Sequence, residues 1–277
     1  VGSEMCIRDS GQEDEPVALN LSIASTDVDG SESITTVVIS DLPAGARLVG
    51  GTDNGDGTFT VDPSELDQVA IVPPAHEHGS FSVTVSAVST DTNGDTASAQ
   101  TRVGFTIASD PDAPVVSAES VQGQEDGTIP LDLSVTGVDD DGSQVVSVIV
   151  GGLPEGSVLS AGMNNGDGTW TLTPAQLDGL ALTAPMDFSG SLNLSITGIA
   201  LETDTFSTAS SMAAFTVEVL GVADTPSLDP IDTATLEDVA VPVVLNASLL
   251  DTDGSESLSV TFANVPTGAG FSAGTAN

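Results

Sequence analysis

Basic residues are almost absent from this chain of 277 residues. It carries 41 acidic side chains but only three arginines and no lysine, so its formal net charge at pH 7 is −38. Proteins that bind nucleic acids need a basic face that neutralises phosphates, and three arginines cannot build one. The same shortage removes the polybasic segments through which proteins bind anionic membranes. The composition therefore excludes nucleic acids and anionic membrane surfaces as partners.

Cysteine and long apolar runs are also scarce. The single cysteine, Cys6, excludes a disulfide framework and a thiolate metal site. No apolar run approaches the roughly 18 residues that span a bilayer as a helix. Residues 1–10 lack the apolar stretch of a secretory signal, match nothing later in the chain and resemble translated adapter sequence. We therefore predict that residues 1–10 are a non-native segment outside the fold.

An internal repeat is the main feature of the rest of the chain. Glu13 recurs as Glu125 and as Glu237, a period of 112 residues, and each glutamate is followed by an aspartate. A motif of the form Asp-x-Asp-Gly-Ser keeps the same period and occupies residues 27–31, 139–143 and 251–255. The period predicts repeat 1 at residues 11–114, repeat 2 at residues 115–226 and a truncated repeat 3 at residues 227–277.

The apolar pattern predicts an all-β fold. Hydrophobic residues make up 39% of the chain, which is enough for packed cores. Apolar and polar residues alternate through residues 17–23, and this period of two marks a half-buried strand. Repeat 2 is predicted to begin with strands at residues 115–121 and 129–136, whereas residues 63–67 and 174–178 indicate helical turns. Short strands in units of about 112 residues indicate tandem immunoglobulin-like β-sandwiches.

Acidic loops separate these strands and are expected to meet where two repeats join. Sequential antiparallel strands alternate in direction, so successive loops face the preceding repeat and the following repeat in turn. The first junction is predicted to collect Glu13, Asp14, Asp67, Asp110, Asp112, Asp139 and Asp141. The second junction is predicted to collect Glu125, Asp126, Asp178, Asp224, Asp251 and Asp253. Asp204 faces the first junction from repeat 2, and Asp27 and Asp29 form a half-site that a preceding repeat would complete.

Such a concentration of carboxylates favours a bound multivalent cation. Two like charges 4 Å apart repel by about 4 kcal/mol at an effective dielectric constant near 20. Six uncompensated carboxylates would therefore cost more than the roughly 5–15 kcal/mol by which a domain is stable. Oxygen-only ligands suit Ca²⁺ better than zinc or copper. The spacing therefore predicts calcium sites at the junctions, although the same Asp-Gly loops can also be read as solvated turns.

These motifs resemble those of a known family. The Glu-Asp pair, the alternating strand, Thr-Asp-x-Asp-Gly and the Asp-Ala-Pro linker resemble cadherin-like repeats. Residues 165–177 resemble more closely the bacterial cadherin-like or immunoglobulin-like tandem repeats of large RTX-type surface adhesins. The resemblance covers residues 11–277. It implies cadherin-like β-sandwiches that act as calcium-stabilised extender repeats.

The resemblance also implies a setting for the chain. It implies a secreted, extracellular adhesin of the cell surface, which acts in cell adhesion and biofilm attachment and is not an enzyme. Export would use a type I system whose signal lies outside this chain. The implied partners are calcium ions, neighbouring repeats and a surface ligand that binds elsewhere. Two alternatives remain open: an accessory non-catalytic module of a large secreted enzyme, and a ligand-binding adhesive tip.

Other motifs are given structural interpretations. Residues 54–57 and 165–168, both Asn-Gly-Asp-Gly, are interpreted as hairpin turns rather than as ligand loops. Trp170 recurs as Phe59 and is interpreted as a core anchor rather than as a platform for a sugar. Residues 76–78, His-Glu-His, have the spacing of a zinc pair but occur in one repeat only. Zinc is therefore not the favoured interpretation there.

Overall fold

The computed structural model describes residues 9–26, 29–139, 142–251 and 253–275. Its regular elements in these ranges are β-strands and two short 3-10 helices, neither of which is long and apolar enough to cross a membrane. The first unit contains β1 Asp9–Gln12, β2 Val17–Ala18, β3 Glu32–Ser40, β4 Arg47–Val49, β5 Thr52–Asp53, β6 Phe59–Val61, a 3-10 helix Leu66–Gln68, β7 Ala70–Val72, β8 Gly79–Asp91 and β9 Thr96–Ala108.

The second unit repeats this series with two more strands, β10 and β13, which pair with each other. It contains β10 Val115–Glu119, β11 Val121–Gln124, β12 Thr128–Pro130, β13 Asp132–Thr136, β14 Gln144–Gly151, β15 Val158–Leu159, β16 Met163–Asn164, β17 Thr169–Leu172, a 3-10 helix Pro174–Leu177, β18 Ala181–Thr183, β19 Gly190–Glu202 and β20 Thr208–Leu220. The two strands of the third unit are β21 Ser227–Ile231 and β22 Val244–Ser248. The two 3-10 helices confirm the predicted helical turns.

The two complete units share one strand order. The six-stranded sheet of the first unit runs β1-β9-β8-β3-β6-β5, and that of the second runs β11-β20-β19-β14-β17-β16. The facing three-stranded sheets run β2-β7-β4 and β12-β18-β15. The pairs β1–β9 and β11–β20 are parallel, and the remaining pairs among the described strands are antiparallel. The chain is therefore a tandem array of all-β sandwiches, as the sequence predicts.

Each sandwich encloses a hydrophobic core of its own. In the first unit, Ile39 of the larger sheet packs with Ile71 of the smaller sheet, and both are fully buried. In the second unit, Ile196 and Trp170 of the larger sheet pack with Leu182 of the smaller sheet. The burial of Trp170 confirms its interpretation as a core anchor.

The Glu-Asp pair forms the corner at which the chain changes sheet. The backbone N–H of Glu13 donates to the carbonyl of the last residue of β9, and that of Glu125 donates to the last residue of β20, both at 3.0 Å. Asp14 and Asp126 follow with φ near +60°, in the left-handed region that aspartate tolerates better than most residues. The chain then enters the three-stranded sheet. The corner therefore places both carboxylates at the end of the sandwich.

Several predicted strands are interrupted where the chain changes partner. Residues 115–121 do not form one strand, because β10 pairs with β13 whereas β11 joins the six-stranded sheet. The break falls at Ser120, whose hydroxyl accepts the N–H of Thr216 at 3.0 Å. Residues 129–136 divide into β12 and β13 for the same reason. Of residues 17–23 only β2 is a strand, but buried and exposed side chains still alternate through that segment.

The start of the first unit also needs correction. Asp9 and Ser10, predicted to lie outside the fold, belong to β1 and pair with Phe105 and Thr106 of β9. The β-structure of the first unit therefore begins before Gly11. Residues 1–8 of the predicted non-native segment lie outside the described residues.

The third unit contributes little to the packing. β21 and β22 pair antiparallel, and neither hydrophobic core includes a residue from the described part of residues 227–275. Asp251 is the one described residue of this region that is buried.

Leu182 provides a direct test of the sandwich. It is fully buried between the two sheets of the second unit, so Leu182→Ala should lower the free energy of unfolding by about 2–5 kcal/mol. Met212, on the six-stranded sheet, is largely exposed. Met212→Ala should therefore change the free energy of unfolding by less than about 0.5 kcal/mol. Urea denaturation of both variants measures the difference, and equal effects would contradict the described core.

Candidate metal sites at the repeat junctions

Four groups of side chains that can ligate a metal lie at the two junctions. Within each group the ligand atoms lie within 4.8 Å of one another. The first junction holds Glu13–Asp139–Glu202 and Asp14–His76–Asp112. The second junction holds Glu125–Asp251–Asp253 and Asp126–Asp187–Asp224. We call the first group of each junction the inner group and the second the outer group.

The inner group of the first junction joins the corner of repeat 1 to one loop and one strand end of repeat 2. Glu13 is buried, and one of its carboxylate oxygens accepts the backbone N–H of Asp110 in the linker. Asp139 accepts the hydroxyl of Ser143 at 2.8 Å. Glu202, the last residue of β19, is 0% exposed and its Oε2 atom has no hydrogen-bond partner. Three carboxylates from two repeats therefore meet here, with Glu13 and Glu202 buried and Asp139 half-buried.

The inner group of the second junction shares two of its three positions with that of the first. Glu125 is 4% exposed, its Oε1 accepts the backbone N–H of Val222 in the linker, and its Oε2 has no hydrogen-bond partner. Asp251 is 2% exposed and accepts the hydroxyl of Ser255 at 2.8 Å, as Asp139 does from Ser143. Asp253 completes the group. Glu125 and Asp251 therefore correspond to Glu13 and Asp139 of the first junction, whereas Asp253 takes the third place that Glu202 occupies there.

The outer groups are equivalent in backbone but different in chemistry. The N–H of His76 donates to Oδ1 of Asp14 at 3.2 Å, and the N–H of Asp187 donates to Oδ1 of Asp126 at 3.3 Å. His76 and Asp187 also share a left-handed backbone, with φ of 55° and 54°. They therefore occupy the same place in the two repeats. One supplies an imidazole and the other a carboxylate.

The pKa values report the electrostatic difference between the outer groups. Burial raises the pKa of Asp187, and the nearby carboxylates of Asp126, Asp224, Asp251 and Asp253 raise it further. Burial by itself would lower the pKa of His76, but the carboxylates around that imidazole outweigh this effect and raise it. Nδ1 of His76 lies 2.7 Å from Oδ2 of Asp112 and 3.4 Å from Oδ2 of Asp14.

Direct hydrogen bonds also link neighbouring repeats. Ser109, at the end of repeat 1, donates to Asp204 of repeat 2, and this bond lowers the pKa of Asp204. At the second junction, Ser189 donates its hydroxyl at 2.6 Å and its backbone N–H at 2.9 Å to Oδ2 of Asp253. The hydroxyl bond from Ser189 is the largest cause of the lowered pKa of Asp253, and bonds from Ser255 lower that pKa further. The backbone N–H of Asp224 donates to Glu256.

Most of the predicted junction residues are brought together. Nine of them belong to the four groups: Glu13, Asp14, Asp112, Asp139, Glu125, Asp126, Asp224, Asp251 and Asp253. Asp110 and Asp204 lie beside the first junction and contribute the bonds described above.

Two predicted ligands are placed elsewhere. Asp67 lies within the 3-10 helix Leu66–Gln68, Asp178 follows the second 3-10 helix, and both are exposed. Asp178 precedes β18, whereas Asp187 of the second junction follows it, so Asp178 lies at the wrong end of that strand. Asp29 is exposed and accepts the N–H of Ser31 at 2.8 Å. Asp27 and Asp141 lie outside the described residues.

Three group members were not predicted as ligands. Glu202 had a signal that could have revealed it, because Asp91 ends β8 of repeat 1 as Glu202 ends β19 of repeat 2. His76 and Asp187 are paired by the 111-residue step that also relates Gly79 to Gly190, but they differ in residue type, so the pairing gave no common ligand signal. Their shared left-handed backbone becomes visible only in the folded chain.

The Asn-Gly-Asp-Gly segments are turns, as interpreted from the sequence. Asp167 accepts the backbone N–H of Thr169 at 3.1 Å and its hydroxyl at 2.6 Å, and these bonds lower the pKa of Asp167. Asp56 and Thr58 make the same contacts in repeat 1. The hairpins β5–β6 and β16–β17 flank these turns.

The donor set of the junctions fits calcium. The inner groups and the outer group of the second junction present carboxylate oxygens only, and Ca²⁺ takes six to eight oxygen ligands. The buried, unpartnered Oε2 atoms of Glu202 and Glu125 point to a ligand, because a buried carboxylate oxygen without a partner is strongly unfavourable. Lysine is absent, and Arg47 and Arg102 are exposed residues within β4 and β9.

Comparison with known proteins finds similarity in structure only. No protein-family model matches the chain, and no curated protein sequence matches it significantly. Solved structures that match include mouse cadherin-23 EC22-24, with 14% identity, a TM-score of 0.44, and coverage of 79% of this chain and 65% of that one. The chain thus spans slightly under two thirds of that structure.

Two further matches are human proteins. One is CDH23 EC21-23, with 14% identity, a TM-score of 0.44, and coverage of 88% of this chain and 83% of that chain. The other is mucin-like protocadherin EC1-2, with 13% identity, a TM-score of 0.39, and coverage of 78% and 97%. At these scores, the assignment to tandem β-sandwiches rests on the strand order described above.

Glu202→Gln tests the crowding of carboxylates. The change removes one buried charge and keeps the shape of the side chain, so the melting temperature without metal should rise by a few degrees, equivalent to about 1–2 kcal/mol. The calcium affinity of the first junction should fall at least about tenfold, because one ligand is neutralised. Calorimetric titration and thermal melting measure both effects.

Asp178→Asn is the matched control for this experiment. It also removes one acidic charge from repeat 2, but Asp178 is exposed and lies outside the four groups. Its melting temperature and calcium affinity should match those of the unmodified chain. A calcium response that falls as much in Asp178→Asn as in Glu202→Gln would contradict the described sites.

Proposed function

We propose that this chain is a segment of calcium-stabilised extender repeats from an extracellular adhesion protein. The observation that carries the proposal is the meeting of buried carboxylates from two consecutive repeats at each junction. A carboxylate oxygen of Glu13 lies within 4.8 Å of a carboxylate oxygen of Glu202. The same holds for Glu125 and Asp251. Without a cation, each pair opposes the approach of the repeats it joins. With Ca²⁺, the same pair becomes the link between them.

The proposed role is mechanical. The inner group of each junction has ligands from the corner of one repeat and the loops of the next, so a bound ion fixes the two sandwiches at one angle. The linkers contribute Asp112 and Asp224 through the outer groups. Because the sites need both repeats in place, the binding free energy of the ion adds to the stability of the junction. An array of such junctions is a stiff rod that can carry a binding domain away from a surface.

The finer assignment rests on the sequence motifs. Residues 165–177 and the Asp-Ala-Pro linker support repeats of a bacterial, RTX-type surface adhesin. Such an adhesin acts in attachment to cells or to a biofilm matrix, and its target is bound by a region outside these repeats. The likeness to cadherin extracellular domains agrees with a role in adhesion outside the cell. On this proposal the chain is structural and does not catalyse a reaction.

Calcium titration tests the proposed function. Addition of millimolar Ca²⁺ to the metal-free chain should raise its melting temperature and give an elongated, stiffer profile in small-angle X-ray scattering. At a free ion concentration of 100 times the dissociation constant, each site adds about 2.7 kcal/mol of stability. A chelator should reverse both changes.

The variant Glu125→Gln/Glu202→Gln is the control for this titration. It neutralises one buried ligand in each inner group and keeps the volume of both side chains. Its response to calcium should be strongly reduced in both melting and scattering. Identical melting curves with calcium and with chelator in the unmodified chain would falsify the proposal, and the acidic loops would then be ordinary turns.

A further inference from the structure

The outer group of the first junction differs from the other three groups in donor type. Asp14 and Asp112 supply carboxylates, and His76 supplies an imidazole in the place that Asp187 occupies at the second junction. Ca²⁺ binds oxygen ligands and rarely accepts an imidazole. Zn²⁺ and related transition-metal ions accept imidazole nitrogen together with carboxylate oxygen. Replacement of one residue therefore changes the class of ion that the group suits.

The imidazole is held in a position to ligate. Nδ1 of His76 faces Oδ2 of Asp14 and of Asp112, at 3.4 Å and 2.7 Å. Nδ1 of His76 and Oδ2 of Asp112 form an ion pair with each other, and both atoms are inaccessible to water. Two ligands about 2.0–2.1 Å from a tetrahedral zinc ion lie roughly 3.3 Å apart. The Asp14–His76 distance already matches this spacing, and the Asp112–His76 distance needs to lengthen by about 0.6 Å.

The backbone fixes the ligands before an ion arrives. Oδ1 of Asp14 accepts the N–H of His76, so the second oxygen of that carboxylate is left to face the imidazole. Hydrogen bonds that orient ligands in this way raise metal affinity. The left-handed backbone at His76 turns its side chain toward the linker that carries Asp112. Three ligands from the corner, the loop before β8 and the linker therefore converge.

His78 belongs to a different part of the junction. It interacts electrostatically with Asp204 of repeat 2, whose pKa it helps to lower, and it is not a member of the group that contains His76. The spacing of His76 and His78 suggests a pair of zinc ligands. In the structure, however, the two histidines do not belong to the same group. The site is built from His76 and two aspartates that are distant in sequence.

We propose that Asp14, His76 and Asp112 form a site for Zn²⁺ or a similar transition-metal ion, in a chain whose other junction groups bind Ca²⁺. The three protein ligands leave a fourth position for water or for a further ligand. The two junctions then differ in the ions that hold them, although their folds are equivalent. The calcium part of this statement rests on the proposed function, but the zinc site stands on its own donor set.

A reciprocal exchange of the two outer residues tests the proposal. The experiment uses a parent chain with Cys6→Ser, so that the only cysteine of the sequence cannot bind zinc. Millimolar Ca²⁺ is present to fill the oxygen-only groups. Titration with Zn²⁺, followed by calorimetry, should detect one site that His76→Asp weakens at least tenfold. Asp187→His should create a second zinc site at the second junction. Co²⁺ in place of Zn²⁺ should show visible absorption bands that disappear in His76→Asp.

Two controls separate the possible failures. His78→Ala should leave zinc binding unchanged, and a loss of zinc in that variant instead of in His76→Asp would overturn the proposal. Equal zinc affinity in His76→Asp and in the parent chain would also overturn it, as would the absence of any zinc site. The melting temperature of each variant in calcium, measured without zinc, tests the calcium sites separately. A normal calcium response in His76→Asp shows that the variant is folded.

Discussion

Repulsion between carboxylates that the chain cannot neutralise by itself is the constraint on which both junctions depend. Lysine is absent, and the arginines of the described part lie within strands. Nevertheless, Glu202 is fully buried beside Glu13 and Asp139, and Glu125 is buried beside Asp251. Pairs of like charges at these distances cost several kcal/mol where water is excluded. The fold itself therefore creates a demand for cations where one repeat meets the next.

The same residues build the fold and the sites. The Glu-Asp corner is where the chain leaves the six-stranded sheet for the three-stranded sheet, and its backbone is fixed by the last residue of β9 or β20. The corner therefore cannot change its conformation without loss of strand pairing. Ligands held on such an element are preorganised, and an ion that binds them stabilises the sandwich and the junction together. This coupling suits a repeat whose proposed role is mechanical.

The two junctions are equivalent in backbone but not in chemistry. His76 and Asp187 have the same φ and donate the same backbone hydrogen bond. One position therefore sets the donor type and the net charge of each outer group. The corner keeps its hydrogen bond in both cases, because the backbone N–H at this position donates to the corner aspartate whatever the side chain is. Tandem repeats of this kind can thus vary the ion at one junction and keep the geometry of the array.

The sequence by itself determined the all-β class, the two 3-10 turns, the Asn-Gly-Asp-Gly hairpins and most of the junction carboxylates, because alternation, turn residues and repeated acidic motifs are local patterns. Only the tertiary structure decided that residues 115–121 divide between two sheets, since strand partners are distant in sequence. It also separated Asp178 from the second junction and brought in Glu202, His76 and Asp187. Those outcomes depend on which end of a strand faces the neighbouring repeat. A local pattern predicts that a strand exists, but its direction and partner follow from the packing of the whole sandwich.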